Sequence, residues 1–271
     1  MATSTGKHRG AVVFLGGGRI TSALCAGLRL AGDRREIVVY DRNPEKLREL
    51  RRESGVKAVD DLESAVERAS MLVLAVRPAS VSEMLGQVRG LNVAPKLCVS
   101  LAAGVPLKNL RAALPGARWV RAMPSPVCRM ARALTSVCFD RGVRKGDPAR
   151  VLEFFRRVGK IVEIPERQFD AFTAVFSSSH GYHAVRTLAE QARRAGLDGE
   201  TALTAAAHAL GDGIQYWRDS GASLNELLHE AATPGGTAAA TMAAMDRAGY
   251  ARVVAKGLAA GIGQARRNAK R

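Results

Sequence analysis

Five apolar residues, Ala11-Val12-Val13-Phe14-Leu15, lead directly into Gly16-Gly17-Gly18 and then into a helical pattern from about Ile20 to Leu30. This order constrains the fold more than any other feature of the chain. A continuous apolar run of strand length belongs in a parallel sheet buried on both faces. Glycines between such a strand and a helix make a tight turn that brings bare backbone up to a ligand. Gly16 permits the turn, and Gly18 removes a Cβ that would block phosphate oxygens. The helix start then supplies free N–H groups and the positive end of its dipole, which suits a pyrophosphate.

Further strands and helices alternate behind this unit. EIVVY (36–40) reads as a strand ending at Asp41, and PEKLRELRR (44–52) as a helix with Pro in its first turn. MLVLAV (71–76), KLCVSL (96–101) and RWVRA (118–122) read as strands, with a helix around 79–89. IVEI (161–164) is the last strand, and Pro165 ends it. The pattern predicts an α/β fold, with a Rossmann-type doubly wound parallel sheet over residues 1–164.

From Phe169 onward the sequence predicts only helices, at 169–195, 199–218, 223–231 and 236–268, many rich in Ala. Residues 165–271 therefore read as an all-α domain. A domain of about a hundred residues built this way has little room for a core of its own. It is expected to bury its apolar faces against a second copy, making a homo-oligomer through the C-terminal helices.

The glycine turn reads as a dinucleotide site whose third glycine is replaced by Thr21. That position governs helix–strand packing, so the helix is expected to sit slightly farther out. Gly16, Gly18, Arg19, Ile20 and Thr21 are the residues expected at the pyrophosphate. Asp41 stands where an acidic residue accepts from ribose hydroxyls, which favours NAD(H). Arg42 and Asn43 follow it and suit a 2′-phosphate, which favours NADP(H). Both cofactors, NADPH and NADH, stay open.

The net charge is +16. A polyanion partner is one reading and solvated basic faces the other. The charges come in pairs such as Arg34-Arg35 and Arg156-Arg157, without interleaved aromatics, which favours solvated faces and no specific nucleic acid. Cys25, Cys98, Cys128 and Cys138 form no CxxC pair and lie in or beside apolar runs. They read as buried thiols in a reducing compartment. The N-terminal MATSTGKHRG has no apolar stretch, and no run is long enough to span a bilayer. A cytoplasmic protein with no membrane contact is expected.

Several segments together resemble the pyrroline-5-carboxylate reductase family over nearly the whole chain. In order they are FLGGGRITSAL (14–24), LAVRPASV (74–81), SLAAGV (100–105), RAMPSP (121–126), FDAFTAV (169–175) leading to Tyr182, and HEAATPGGTAA (229–239). The resemblance implies NAD(P)H-dependent reduction of a cyclic imine, 1-pyrroline-5-carboxylate, to proline, and a C-terminal dimerisation domain. It adds Ala75, Val76, Arg77 and Pro78 to the cofactor residues. Two helix starts become candidates for holding the substrate carboxylate: Ser177-Ser178-Ser179, and Pro234-Gly235-Gly236-Thr237. Ser125 takes the place of the family's Asn in Met-Pro-Asn.

The sequence departs from the family around the substrate. Phe176 replaces the first Ser of Ser-Gly-Ser-Gly-Pro-Ala-Tyr, and His180 replaces its Pro. The Thr-Thr pair becomes Thr237-Ala238, and the second Thr is the one the family pattern assigns to proton donation. Thr237, His180 or water are then the candidate proton sources. Thr237 also reads as a helix N-cap, and His180 as a polar interface residue. His180 and His183 form an HxxH without a third ligand, so no metal is expected. A reductase of another imine or carbonyl acid, and a non-catalytic dinucleotide-binding assembly protein, are the alternatives.

Overall fold

The computed structural model describes residues 10–91, 93 and 96–268. The N-terminal segment read above as lacking an apolar stretch lies, up to residue 9, outside the described residues. The chain runs β1 (Ala11–Leu15), α1 (Arg19–Leu30), β2 (Ile37–Tyr40), α2 (Pro44–Ser54), β3 (Lys57–Val59), α3 (Leu62–Glu67), β4 (Ala69–Leu74), α4 (Val81–Gly90), β5 (Leu97–Ser100) and α5 (Leu107–Ala113). It continues through β6 (Arg118–Pro124), β7 (Ala133–Phe139), α6 (Asp147–Arg156), β8 (Gly159–Glu163), α7 (Glu166–Val175), α8 (Ser179–Arg194), α9 (Gly199–Ser220), α10 (Leu224–Ala231), α11 (Thr237–Arg247) and α12 (Tyr250–Asn268). Two compact units divide the chain. One holds the described residues through Phe176 and those from Ala260 on; the other is Ser177–Ala259.

The first unit is the expected Rossmann-type sheet, with order β3-β2-β1-β4-β5-β6-β7-β8. Every pairing is parallel except β6 with β7. Every β1 residue is buried, as its unbroken apolar run requires. One face packs Phe14, Leu24, Leu28, Phe154 and Phe155; the other packs Val13, Leu15, Leu85, Trp119 and Phe169. Local chemistry sets the ends of α2. The Asn43 side chain accepts from Glu45 N and Lys46 N, Pro44 opens the helix, and Gly55 closes it at φ 58°.

The last turns of α12 also belong to this unit. Asn268 Nδ2 donates to Ala103 O at 3.4 Å. Gly104, at φ 77°, packs directly on the Ala265 carbonyl, and a Cβ there would overlap it. The glycine of Ser-Leu-Ala-Ala-Gly-Val is thus a seat for the C-terminal helix.

Three expectations need correcting. The helix expected over 169–195 is two helices, α7 and α8, broken where Ser177 Oγ bonds Ser179 Oγ at 2.6 Å. The helix expected over 236–268 is also two, α11 and α12, separated at Gly249 with φ 88°. β7, the antiparallel strand, was not expected at all.

The second unit contains α8, α9, α10, α11 and the first turns of α12. Two of its helix starts carry side-chain caps: Asp198 caps α9, and Ser223 with Glu226 forms a capping box on α10. Its core is small. Ala189, Ala202 and Ala206 are buried, with Val185 and Ala192 packed against them. Tyr182, Leu203, Tyr216, Leu228 and Val253 lie exposed. Among the described residues no helix is long and apolar enough to cross a membrane.

Candidate active site

The sheet order reverses between β1 and β4, so their carboxyl ends flank a crevice in which ligands of such sheets bind. Ala75 N donates to Leu15 O at 2.9 Å and draws the two ends together. Gly16 turns the chain away from β1 at φ 110°, and a Cβ on it would lie 2.9 Å from Ala75 O. Only glycine fits there. Gly17 N donates to Asp41 Oδ2 at 2.7 Å, pinning the turn to the end of β2.

Gly18 is the N-cap of α1, makes no side-chain cap, and would carry a Cβ into open space. The first bond within the helix runs from Ser22 N to Gly18 O at 3.0 Å. The N–H groups of Arg19, Ile20 and Thr21 precede it, and the first turn has no acidic residue. An uncapped, uncrowded helix start at the switch point fits a pyrophosphate. Arg19 is exposed beside it, and Ile20 is half-buried.

Thr21 is fully buried, and its Oγ1 donates to Gly16 O at 2.6 Å. The threonine thus braces the turn from inside. Close approach of α1 to its neighbours occurs lower down, where Gly27 packs on the Cys128 carbonyl so tightly that a Cβ would overlap it.

Asp41 is held by several groups. Besides Gly17 N, it accepts from Asn43 N at 2.8 Å, and Lys46 Nζ lies 3.7 Å away. The side chain of Asn43 is engaged as the cap of α2. Arg42 Nη1 pairs with Glu83 Oε1 at 3.0 Å, linking the end of β2 to the first turn of α4. Ala75 and Val76 are half-buried at the end of β4; Arg77 is exposed, and Pro78 begins the short turn into α4.

Ser125 follows β6 and is buried; its N donates to Leu134 O at 3.2 Å. Arg121, earlier in the same motif, is buried, and both its terminal nitrogens are paired while its Nε meets no partner among the described residues. It reaches Glu166 at 3.3 Å and Asp170 at 3.1 Å, and lies 4.2 Å over the Phe169 ring. Glu166 also accepts from Leu107 N at 2.6 Å, so this arginine ties α7 and α5 to the sheet. Burial pushes the Cys25 and Cys128 thiols up to about 12, which leaves neither as a nucleophile.

The other candidates lie in the second unit, at two helix starts. Ser178 and Ser179 begin α8, and exposed His180 donates its N to Ser177 O at 3.0 Å. At the second, Thr233 O accepts from Gly236 N at 2.9 Å and Gly235 has φ 78°, a type II turn with Pro234 at its first corner. Gly236 is the N-cap of α11, and Thr237 is the residue after it, exposed and making no cap. The N-cap role read for Thr237 therefore belongs to Gly236. Among the described residues no three His, Cys, Asp or Glu side chains cluster as a metal site.

The structure brings Gly16, Gly17, Asp41 and Ala75 together, and Arg42 with Glu83. Sequence reasoning gave Gly17 no role of its own and missed Glu83 and Thr233. Thr233 was detectable, since Thr-Pro-Gly-Gly is a type II turn signature. Glu83 carried no sequence signal.

Comparison with known proteins decides the family. Curated pyrroline-5-carboxylate reductases are similar along the chain. That of Mycobacterium leprae is 32% identical, over 90% of this chain and 91% of its own; that of Methanosarcina acetivorans is 30% identical, over 87% and 89%. The chain belongs to the pyrroline-5-carboxylate reductase family. Residues 166–268 match the model of pyrroline-5-carboxylate reductase dimerisation, and residues 11–104 that of NADP oxidoreductase, coenzyme F420-dependent. Among solved structures, the Plasmodium falciparum pyrroline carboxylate reductase with NADP bound superposes with a TM-score of 0.86 at 19% identity, covering 97% of this chain and all (100%) of that one. The Coxiella burnetii reductase gives 0.86 at 23%, with the same coverage. These two show the fold. This member of the pyrroline-5-carboxylate reductase family carries the dimerisation domain, so it is built to form a homo-oligomer.

Proposed function

We propose that this protein reduces 1-pyrroline-5-carboxylate to proline with NADPH or NADH, the last step of a proline synthesis. The observation that carries the reading is the open, uncapped start of α1 at the switch point, in a chain of this family. The bound dinucleotide supplies the hydride. In our reading the domain of residues 1–164 holds it and that of 165–271 holds the substrate. Gly16, Gly18 and the first-turn amides of α1 take the pyrophosphate, with Arg19 as a nearby cation. Asp41, Arg42 and Asn43 meet the adenosine ribose, and Ala75, Val76, Arg77 and Pro78 form the opposite wall.

The substrate is an anion, and helix starts bind anions. We assign its carboxylate to Ser178, Ser179, Gly235, Gly236 and Thr237, and we give Ser125 a substrate-binding role as well. A proton must reach the imine nitrogen; Thr237 and His180 are the side chains we assign, with water as the alternative. The N-cap role at Gly236 leaves the Thr237 hydroxyl uncommitted, since no side chain makes that cap. We further propose that the exposed apolar side chains of α9, α10 and α12 pack on a second copy. Four buried, unpaired thiols fit a reducing, cytoplasmic setting.

The test is a spectrophotometric assay. Purified protein is given NADPH or NADH with pyrroline-5-carboxylate, and loss of reduced-cofactor absorbance is followed. Steady oxidation with proline as product is expected. Cofactor binding without turnover on this imine, but with turnover on another cyclic imine or keto acid, would replace the substrate and keep the cofactor site. Thr237→Val and His180→Gln then locate the proton donor: the true one lowers kcat more than it raises KM.

A further inference from the structure

At the ribose corner Lys46 and Arg42 each lie beside a carboxylate. Lys46 Nζ lies 3.7 Å from Asp41 Oδ2, and Arg42 Nη1 lies 3.0 Å from Glu83 Oε1. Glu83 also accepts from Gln87 Nε2 at 3.5 Å, which steadies it on the first turns of α4. The Arg42–Glu83 pair joins the loop after β2 to the first turn of α4, on the two sides of the switch point. It therefore crosses the place where the adenosine end of a dinucleotide binds in such folds.

We propose that Glu83 sets the choice between NADH and NADPH by holding Arg42 away from the 2′-phosphate. Arg42 is the residue beside Asp41 suited to take that phosphate, because a guanidinium matches phosphate oxygens in a planar fork. While Glu83 holds it, a 2′-phosphate meets two carboxylates, Asp41 and Glu83, and cations that are already paired. NADH asks for no cation there and is unaffected. Discrimination of this kind works by repulsion and by occupation of the attractive group, rather than by adding contacts to the favoured ligand. Glu83 thus acts as a positioning residue through Arg42. The pair is solvent-exposed, so its strength is modest, about 1 kcal/mol at most, which sets the discrimination at about fivefold. The inference rests on the dinucleotide reading above.

The experiment measures dissociation constants of NADH and NADPH by fluorescence titration, on parent, Glu83→Gln, Arg42→Gln and the double variant. Glu83→Gln should tighten NADPH about fivefold and leave NADH within about twofold. In the Arg42→Gln background the same change should bring no gain in NADPH affinity, because the group it frees is gone. An unchanged NADPH-to-NADH ratio in Glu83→Gln, with both dinucleotides still bound, overturns this proposal alone. An equal gain with and without Arg42 overturns it too, since Glu83 would then act as a general charge. Failure of every variant, and of the parent, to bind either dinucleotide overturns both this proposal and the reductase reading.

Discussion

Replacing Thr21 by Gly completes the dinucleotide fingerprint, and it should destabilise the protein. Thr21 is fully buried, and its hydroxyl donates to Gly16 O at 2.6 Å. Losing that bond costs about 1 kcal/mol. Losing the buried methyl costs about 0.8 kcal/mol. Glycine adds a few tenths, on the order of 0.4 kcal/mol, through its lower helix propensity. Together these give about 2 kcal/mol, which moves a urea midpoint down by about 0.7 M at a slope of about 3 kcal/mol per M. Thr21→Ser keeps the hydroxyl and should lose only about 1 kcal/mol, from the methyl. The assay is equilibrium urea unfolding of cofactor-free protein, with protein concentration held constant because assembly shifts apparent stability. A Thr21→Gly variant as stable as the parent would refute the reasoning. It would mean that α1 closes onto the sheet once the side chain is removed, and that the threonine is a spacer rather than a brace.

Gly18→Ala should separate binding from folding. A Cβ at Gly18 meets nothing within 4 Å and its φ of −77° suits alanine, so urea stability should stay within about 0.5 kcal/mol of the parent while titration shows dinucleotide affinity falling at least about tenfold. Asp147→Asn should cost about 2 kcal/mol at pH 7, because buried Asp147 accepts from Arg118 Nε at 2.7 Å and from Arg144 N at 3.0 Å. Burial pushes the Asp147 carboxyl up, but the Arg118 and Arg144 hydrogen bonds and neighbouring positive charge outweigh it and leave it below its ordinary value. Its contribution is therefore present above the unfolded carboxylate value of about 3.9 and lost as pH falls through the lower folded value; acid unfolding curves of the variant should flatten in that window. Burial pushes the Cys25, Cys98 and Cys128 thiols up to about 12, so a thiol reagent at pH 8 should find no fast-reacting cysteine in the folded protein and all 4 after denaturation.

How far the fold could be read depended on how local its causes are. β1, β2, β4, β5 and β8 are short apolar runs between turn residues, and the cap of α2 is written in Asn43-Pro44, so these elements were visible directly. β7 was not. Thr135 and Ser136 interrupt its apolar run, and it is held by antiparallel pairing with β6, a partner reached through a short 3-10 turn rather than an α-helix. The break between α7 and α8 was hidden for a similar reason. Phe176 continues the apolar pattern of α7, while the serines after it turn the chain by bonding to one another. Gly104 stood in a recognisable motif, but its reason is a carbonyl at Ala265, which only the folded chain brings near.

The site divides along the same line, and the division shows what each residue is free to do. Asp41 was found by its distance from the glycines. Its commitments to Gly17 N, Asn43 N and Lys46 were not, and they make it a brace for the turn. Thr237 was found by its motif and read as a helix cap. The structure gives the cap to Gly236, because the type II turn before it places Gly236 at the extended position, φ −78° and ψ 155°, that a cap occupies. The first helical residue then presents its side chain at the positive end of α11 without having to satisfy the backbone there. That freedom is what a substrate-binding hydroxyl needs, and it removes the main structural explanation for a threonine at this place. Substituting Thr237 by Val should therefore leave helix stability nearly unchanged, and any large loss of turnover it causes belongs to substrate binding or proton transfer rather than to folding.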